Sequence, residues 1–303
     1  MKHNLKITTI LILMFLIAQF LGILILTQNI DVKQTEVEGK TTFKEIPFVE
    51  RPPIQENHSY IPILLAVLIG TGILLLLIRF NLTWVWKIWF LLAITIALTI
   101  AFGSFIPYSI ALFLALLLSL WKIFKPNVWI QNITELFIYG GLAVIFVPIF
   151  NIFSGVILLI LIALYDAYAV WKSKHMIKMA KSQTKAKVFA GFLIPYQLKR
   201  NILPEKVKTT LKKTLLLKVK TKSSKGRVAM LGGGDVAFPL IFAGVILKEM
   251  GLWQSLLVPF FALSGLIILF KIGKEKKFYP AMPFISSGCL IGLAVLYLLN
   301  YIL

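Results

Sequence analysis

Nine stretches of this chain are apolar for long enough to cross a bilayer, and no other feature constrains the fold as strongly. They lie at about 7–26, 60–78, 85–101, 105–124, 133–150, 151–171, 228–247, 252–270 and 283–302. Each is near the roughly 20 residues that a helix needs to cross about 30 Å of hydrocarbon. Backbone groups find no water there, so a chain of such runs must be helical. The expected fold class is an all-α polytopic membrane protein with nine transmembrane helices. It is integral and multi-pass in the cell membrane, with the lipid bilayer as its solvent. The runs 133–150 and 151–171 read as two spans, because Pro148 and Asn151, flanked by Phe150 and Ser154, mark a tight turn. The first run is long and ends in Leu24-Ile25-Leu26-Thr27, which suits an uncleaved anchor better than a secretory signal.

The net charge of +20 invites a nucleic-acid reading until the basic residues are placed along the chain. With the N-terminus cytoplasmic and the C-terminus extracytoplasmic, all of the 32 Lys and Arg except Lys33, Lys40, Lys44, Arg51 and Lys248 fall on the cytoplasmic side. The opposite orientation violates the positive-inside rule. The charge is therefore topology, and no nucleic-acid partner is expected. The chain reads as one integral membrane domain. Its parts are six spans over 1–171, with an acidic exoloop at 28–59, a basic cytoplasmic loop at 172–226, and three spans over 227–303. A single cysteine, Cys289, excludes an intrachain disulfide framework.

The acidic residues locate the chemistry. Most lie in the exoloop or the inner loop, and Glu135, Glu249 and Glu275 read as span ends. Two remain inside hydrocarbon, where a carboxylate costs roughly 3 kcal/mol. Asp166 precedes the exit at Lys172, and Asp235 follows the entry at Arg227. At 1.5 Å per residue their depths are roughly 9 and 12 Å, in one slice of the membrane on adjacent antiparallel spans. No Lys, Arg or His in the spans is expected to neutralise them. Two carboxylates sharing a site hold one proton between them, so that one can activate water while the other polarises a carbonyl. Asp235 ends Gly232-Gly233-Gly234, three poor helix formers that let another backbone approach closely. Glycines alone often serve only helix packing, which would leave Asp235 unexplained. On depth and pairing, a two-aspartate hydrolase and a cation or proton pathway stand equal.

At these residues the chain resembles the presenilin and signal peptide peptidase family of intramembrane aspartyl proteases. Tyr165-Asp166 matches the family's Tyr-Asp, Gly232-Gly233-Gly234-Asp235 its Gly-x-Gly-Asp, and Pro280-Ala281-Met282 its Pro-Ala-Leu, with methionine for leucine. The resemblance covers nearly the whole chain. It implies that Asp166 and Asp235 are the catalytic pair and that Tyr165, the three glycines and Pro280, Ala281 and Met282 shape the site. Transmembrane protein substrates are implied, without metal or organic cofactor, and a homo-oligomer is compatible with the sequence. The prepilin peptidases share the glycine–aspartate signature but carry a lysine where this chain has Ala237. A zinc mechanism lacks His-Glu-x-x-His, a serine mechanism at Ser287 lacks a membrane histidine, and the glycines lack the Lys-Ser/Thr of a phosphate loop.

Within the inner loop, 171–179 reads as a basic amphipathic continuation of the sixth span along the membrane surface. The alternation at 214–221 reads as a short strand, and in the related proteases substrate is thought to pair there. A basic loop resting on anionic lipid explains the same residues equally well.

Overall fold

The computed structural model describes residues 5–47, 54–186, 188–196, 227–273 and 278–302. The strand expected at 214–221 lies outside these residues. Helix α1 (Leu5–Gln28) leads into a connection that holds a short helix, α2 (Val32–Glu38). Asp31 caps α2 by accepting from the Gln34 amide, and Gly39 ends it in the left-handed region with φ +66°. Then follow α3 (Tyr60–Arg79), α4 (Thr83–Gly103), α5 (Tyr108–Phe124), α6 (Val128–Phe146) and α7 (Ile152–Ala167). Helix α8 (His175–Ala186) and strand β1 (Gly191–Tyr196) precede β2 (Arg227–Gly232) and the last three helices. These are α9 (Gly233–Glu249), α10 (Leu252–Ile272) and α11 (Met282–Ile302).

Among the described residues, seven helical segments are long and apolar enough to cross a membrane, and the chain is an all-α, multi-pass integral membrane protein. They are built on α1, α3, α4, α6, α7, α10 and α11. Helices α5 and α9, 17 residues each, are shorter. Helix α9 is the axis of the bundle, packed by α1, α6, α7, α10 and α11. Every residue from Pro239 to Leu247 is buried, which is why its sequence is apolar on all faces rather than along one stripe. Helix α3 is the opposite case, with Leu74 its one buried residue.

Where helices touch, small residues let backbones meet. A Cβ on Gly265 would collide with the carbonyl of Phe284, and one on Gly288 with that of Phe261, so α10 and α11 meet backbone to backbone. Gly141 brings α6 against the Ala97 carbonyl of α4 in the same way.

Two boundaries differ from the sequence reading. Helix α6 starts at Val128, five residues before the apolar run, because Asn127 follows Pro126 and caps it by accepting from the Trp129 amide. The seventh apolar run does not begin as helix. Residues 227–232 form β2, antiparallel to β1 with Gly191 opposite Gly232 and Tyr196 opposite Arg227. Exposed Val228 and Met230 alternate with buried Ala229 and Leu231, as the two faces of a strand do, and apolarity alone does not separate strand from span. The turn between the fifth and sixth runs is built by Asn151, which accepts from the Ser154 amide while Ser154 Oγ accepts from the Asn151 amide.

Gly288→Leu is expected to destabilise the protein by roughly 1–3 kcal/mol, the usual cost of overpacking. Ser287→Leu, at the exposed neighbouring position, is expected to be close to neutral. Thermal unfolding in detergent compares the two.

Candidate active site

The sixth apolar run ends in a wide turn. Helix α7 stops at Ala167, and Tyr168–Lys172 continue as a π-helix closed by the Ser173 amide donating to the Tyr168 carbonyl at 3.1 Å. Such widened turns recur at functional sites. Asp166 lies two residues before it, only 4% exposed. Its Oδ2 accepts from the Met282 backbone N–H at 3.1 Å. Met282 is the first residue of α11, with Pro280 just outside the helix and Pro283 in its first turn, where a missing N–H costs no intrahelical bond. The first amides of a helix have no intrahelical acceptor and face negative charge favourably. Asp166 thus caps α11 from a different helix. Pro280, Ala281 and Met282 are all buried against this junction.

Asp235 has the same electrostatic setting within its own helix. It stands in the first turn of α9, third after the extended Gly232. A Cβ on Gly232 would meet Asp235 Oδ2 at 3.1 Å, so the carboxylate folds back over the strand–helix junction. A Cβ on Gly233 would press on Tyr139 Oη at 3.3 Å and on the Ala190 carbonyl at 3.4 Å, whereas Gly234 is exposed. This corrects the helix expected before Asp235. The glycines do not interrupt a membrane helix that begins at Arg227; they join β2 to the N-terminus of α9. Pro239 has no N–H for the carbonyl of Asp235 four residues earlier. The next carbonyl, Val236, accepts from Gln19 Nε2 of α1 at 2.8 Å.

Helices α7 and α9 pack side by side, Gly155 facing the Phe242 ring. Asp166 lies in the last turn of one and Asp235 in the first turn of the other. Both therefore sit at the end of the bundle that carries the basic segment, with the start of α11 bonded to Asp166. Tyr165 points elsewhere. Its hydroxyl donates to Thr71 Oγ1 of α3 at 3.2 Å and meets His175 Nε2 at 3.0 Å. Burial pushes the His175 imidazole below its usual pKa.

Reading Glu135 as a span end was wrong, for the reason that moved the start of α6. It is the eighth residue of that helix, 1% exposed, and Lys122 Nζ of α5 donates to its Oε1 at 2.6 Å. A buried cation therefore does exist in the bundle, spent on Glu135 rather than on the aspartates. Gln131 Nε2 also donates to Glu135 Oε1, and to the Phe189 and Gly191 carbonyls. Asn132 imitates a strand partner: Nδ2 donates to the Leu193 carbonyl while Oδ1 accepts from the Leu193 amide, each at 2.9 Å. These side chains fix the outer edge of β1 to α6. The signal in the sequence was Gln131, Asn132 and Glu135 spaced along one apolar helix. Beneath them lies an apolar cavity of about 330 Å³ lined by α3, α4, α6 and α9 and reaching Gly233 and Gly234. Among the described residues no three metal-ligating side chains converge.

Fold and site together define an integral membrane protein that brings two aspartates to one end of adjacent helices. The family described as signal-peptide peptidase, presenilin aspartyl protease matches residues 12–302, and the chain belongs to it. It is an enzyme, an intramembrane aspartyl protease. No curated protein sequence matches the chain significantly. Among solved structures it is similar to a presenilin family intramembrane aspartate protease in a C222 crystal form, with TM-score 0.60, 17% identity and coverage of 95% of this chain and 97% of that one. The P2 crystal form of a presenilin family intramembrane aspartate protease gives 0.56, 19%, 94% and 96%. At such identities the likeness speaks to the fold.

Lys122→Met is expected to cost roughly 3–5 kcal/mol by leaving the Glu135 carboxylate buried without its cation. Adding Glu135→Leu is expected to recover most of that loss. Denaturant or thermal unfolding of the two variants measures both effects.

Proposed function

We propose that Asp166 and Asp235 are the catalytic pair and that they hydrolyse peptide bonds within transmembrane segments of other proteins. One observation carries this reading: two carboxylates from antiparallel neighbours share one end of the bundle, each at a helix N-terminus, and one borders an exposed glycine. One aspartate takes a proton from water as the oxygen adds to the scissile carbonyl carbon. The other, protonated, gives its proton to the carbonyl oxygen. Collapse of the resulting diol breaks the C–N bond: the proton first taken from water goes to the leaving nitrogen, and one diol hydroxyl returns its proton to the second aspartate, leaving the carboxylic acid product.

The glycines supply access. A helical substrate has its carbonyls bonded internally, so its backbone must be extended before water can attack. Asn132 and Gln131 close the outer edge of β1, which leaves β2, the strand running into Gly232, as the side where an extended segment is added. The exposed Gly234 then lets the substrate backbone reach the carboxylates. We place nine spans in the membrane, α5 and α9 included, with the N-terminus cytoplasmic and the site on the cytoplasmic side. The distribution of Lys and Arg supports that orientation.

Purified protein incubated with a membrane-spanning peptide tests the reading. Wild type is expected to produce fragments, and Asp166→Asn and Asp235→Asn each to abolish them. Aspartate-dependent ion flux without cleavage would instead establish a cation pathway. Cleavage is expected to fall at low pH, where the general base is protonated, and at high pH, where the general acid has lost its proton. Gly234→Leu is expected to abolish cleavage while leaving the unfolding temperature within a few degrees of wild type, since its Cβ meets only the Phe238 ring at 3.5 Å.

A further inference from the structure

The chain leaving α7 takes a conformationally expensive route. After the π-turn at Tyr168–Lys172, Lys174 adopts φ +55°, a left-handed conformation that lysine pays for and glycine does not. The product of that route is His175, returned to the face of Tyr165. Its Nε2 lies 3.0 Å from the Tyr165 hydroxyl, and its Nδ1 lies 2.6 Å from Ser173 Oγ.

The hydrogens follow from the partners. Tyr165 donates its proton to Thr71 Oγ1, so the phenol oxygen accepts from His175 Nε2–H, and Nδ1 accepts from the Ser173 hydroxyl. This chain of bonds runs from the π-turn through α8 and α7 to α3. It is the described side-chain hydrogen bonding of α3 to α7, and α3 has little else to hold it in register, with one buried residue. Tyr165 is adjacent to Asp166, so whatever fixes Tyr165 fixes the rotation of the last turn of α7, and with it the direction of the Asp166 carboxylate toward Met282.

The geometry points to His175 as a positioning residue for Asp166. Through Tyr165 it locks the last turn of α7 to α3, and it ties that lock to the start of the cytoplasmic segment. This inference rests on the reading of Asp166 as catalytic. His175 acts through Tyr165 rather than on the reacting atoms, its ring bonded to Tyr165 and Ser173. The neutral imidazole favoured by burial suits this role, because Nδ1 must accept from Ser173 while Nε2–H donates.

Steady-state cleavage of a membrane-spanning peptide by the full-length protein tests the lock. His175→Leu is expected to lower kcat about tenfold, the size of one lost hydrogen bond, while KM stays within about twofold. His175→Gln places an N–H where Nε2 was and is expected to stay within about threefold of wild type. His175→Asn reaches only the Nδ1 position and is expected to fail like leucine. A general structural role would not separate these two amides. Tyr165→Phe is expected to match His175→Leu, and the double variant to lose about tenfold rather than a hundredfold, because both remove one connection. Full activity of His175→Leu, equal defects in the Gln and Asn variants, or multiplicative losses in the double variant would overturn the lock. Asp166→Asn runs alongside: cleavage by that variant would overturn the catalytic assignment itself, whatever His175 does.

Discussion

A carboxylate within the depth of a bilayer survives only if something other than water meets it, and the site follows from how that demand is satisfied. Asp166 and Asp235 each sit at the positive end of a helix dipole, one bonded to the first amide of α11 and the other in the first turn of α9. Neither helix start is accidental. Pro280 stands just before α11 and Pro283 in its first turn, and β2 stays extended until α9 begins at Gly233. The features that interrupt regular structure here are what create the donors that the acids need.

Much of this arrangement was legible from residue types. The aspartates stood out because a carboxylate in an apolar run is costly, and span order put them on neighbouring helices. The prolines at 280 and 283 announced a helix start. What could not be read was the identity of secondary structure inside an apolar run. Residues 227–232 have the hydropathy of a membrane helix, and only pairing with Gly191–Tyr196, across a long separation in sequence, makes them a strand. Glu135 was misplaced for a related reason: its helix begins where Asn127 caps it rather than where apolarity begins, and the cation it needs arrives from α5 through tertiary packing.

Burial divides the helices by role. Helix α9 is enclosed on all sides and cannot shift without disturbing five neighbours. It carries Asp235, and Gln19 of α1 braces the carbonyl beside Pro239. Helix α3 lies at the periphery, with Thr71 bonded to Tyr165 and one fully buried leucine. The bundle is therefore rigid where one carboxylate is mounted and loosely joined on the side where Tyr165 turns away from the other.

The hairpin has a consequence for the covalent chain. Tyr196 and Arg227 are partners in the β-ladder, so the segment between them departs and returns at a single point. The cost of closing such an excursion grows only with the logarithm of its length. Lengthening, shortening or even severing it between 197 and 226 would leave the two strands clasped and α7 still fastened to α9. The polypeptide could become two pieces without the site becoming two halves.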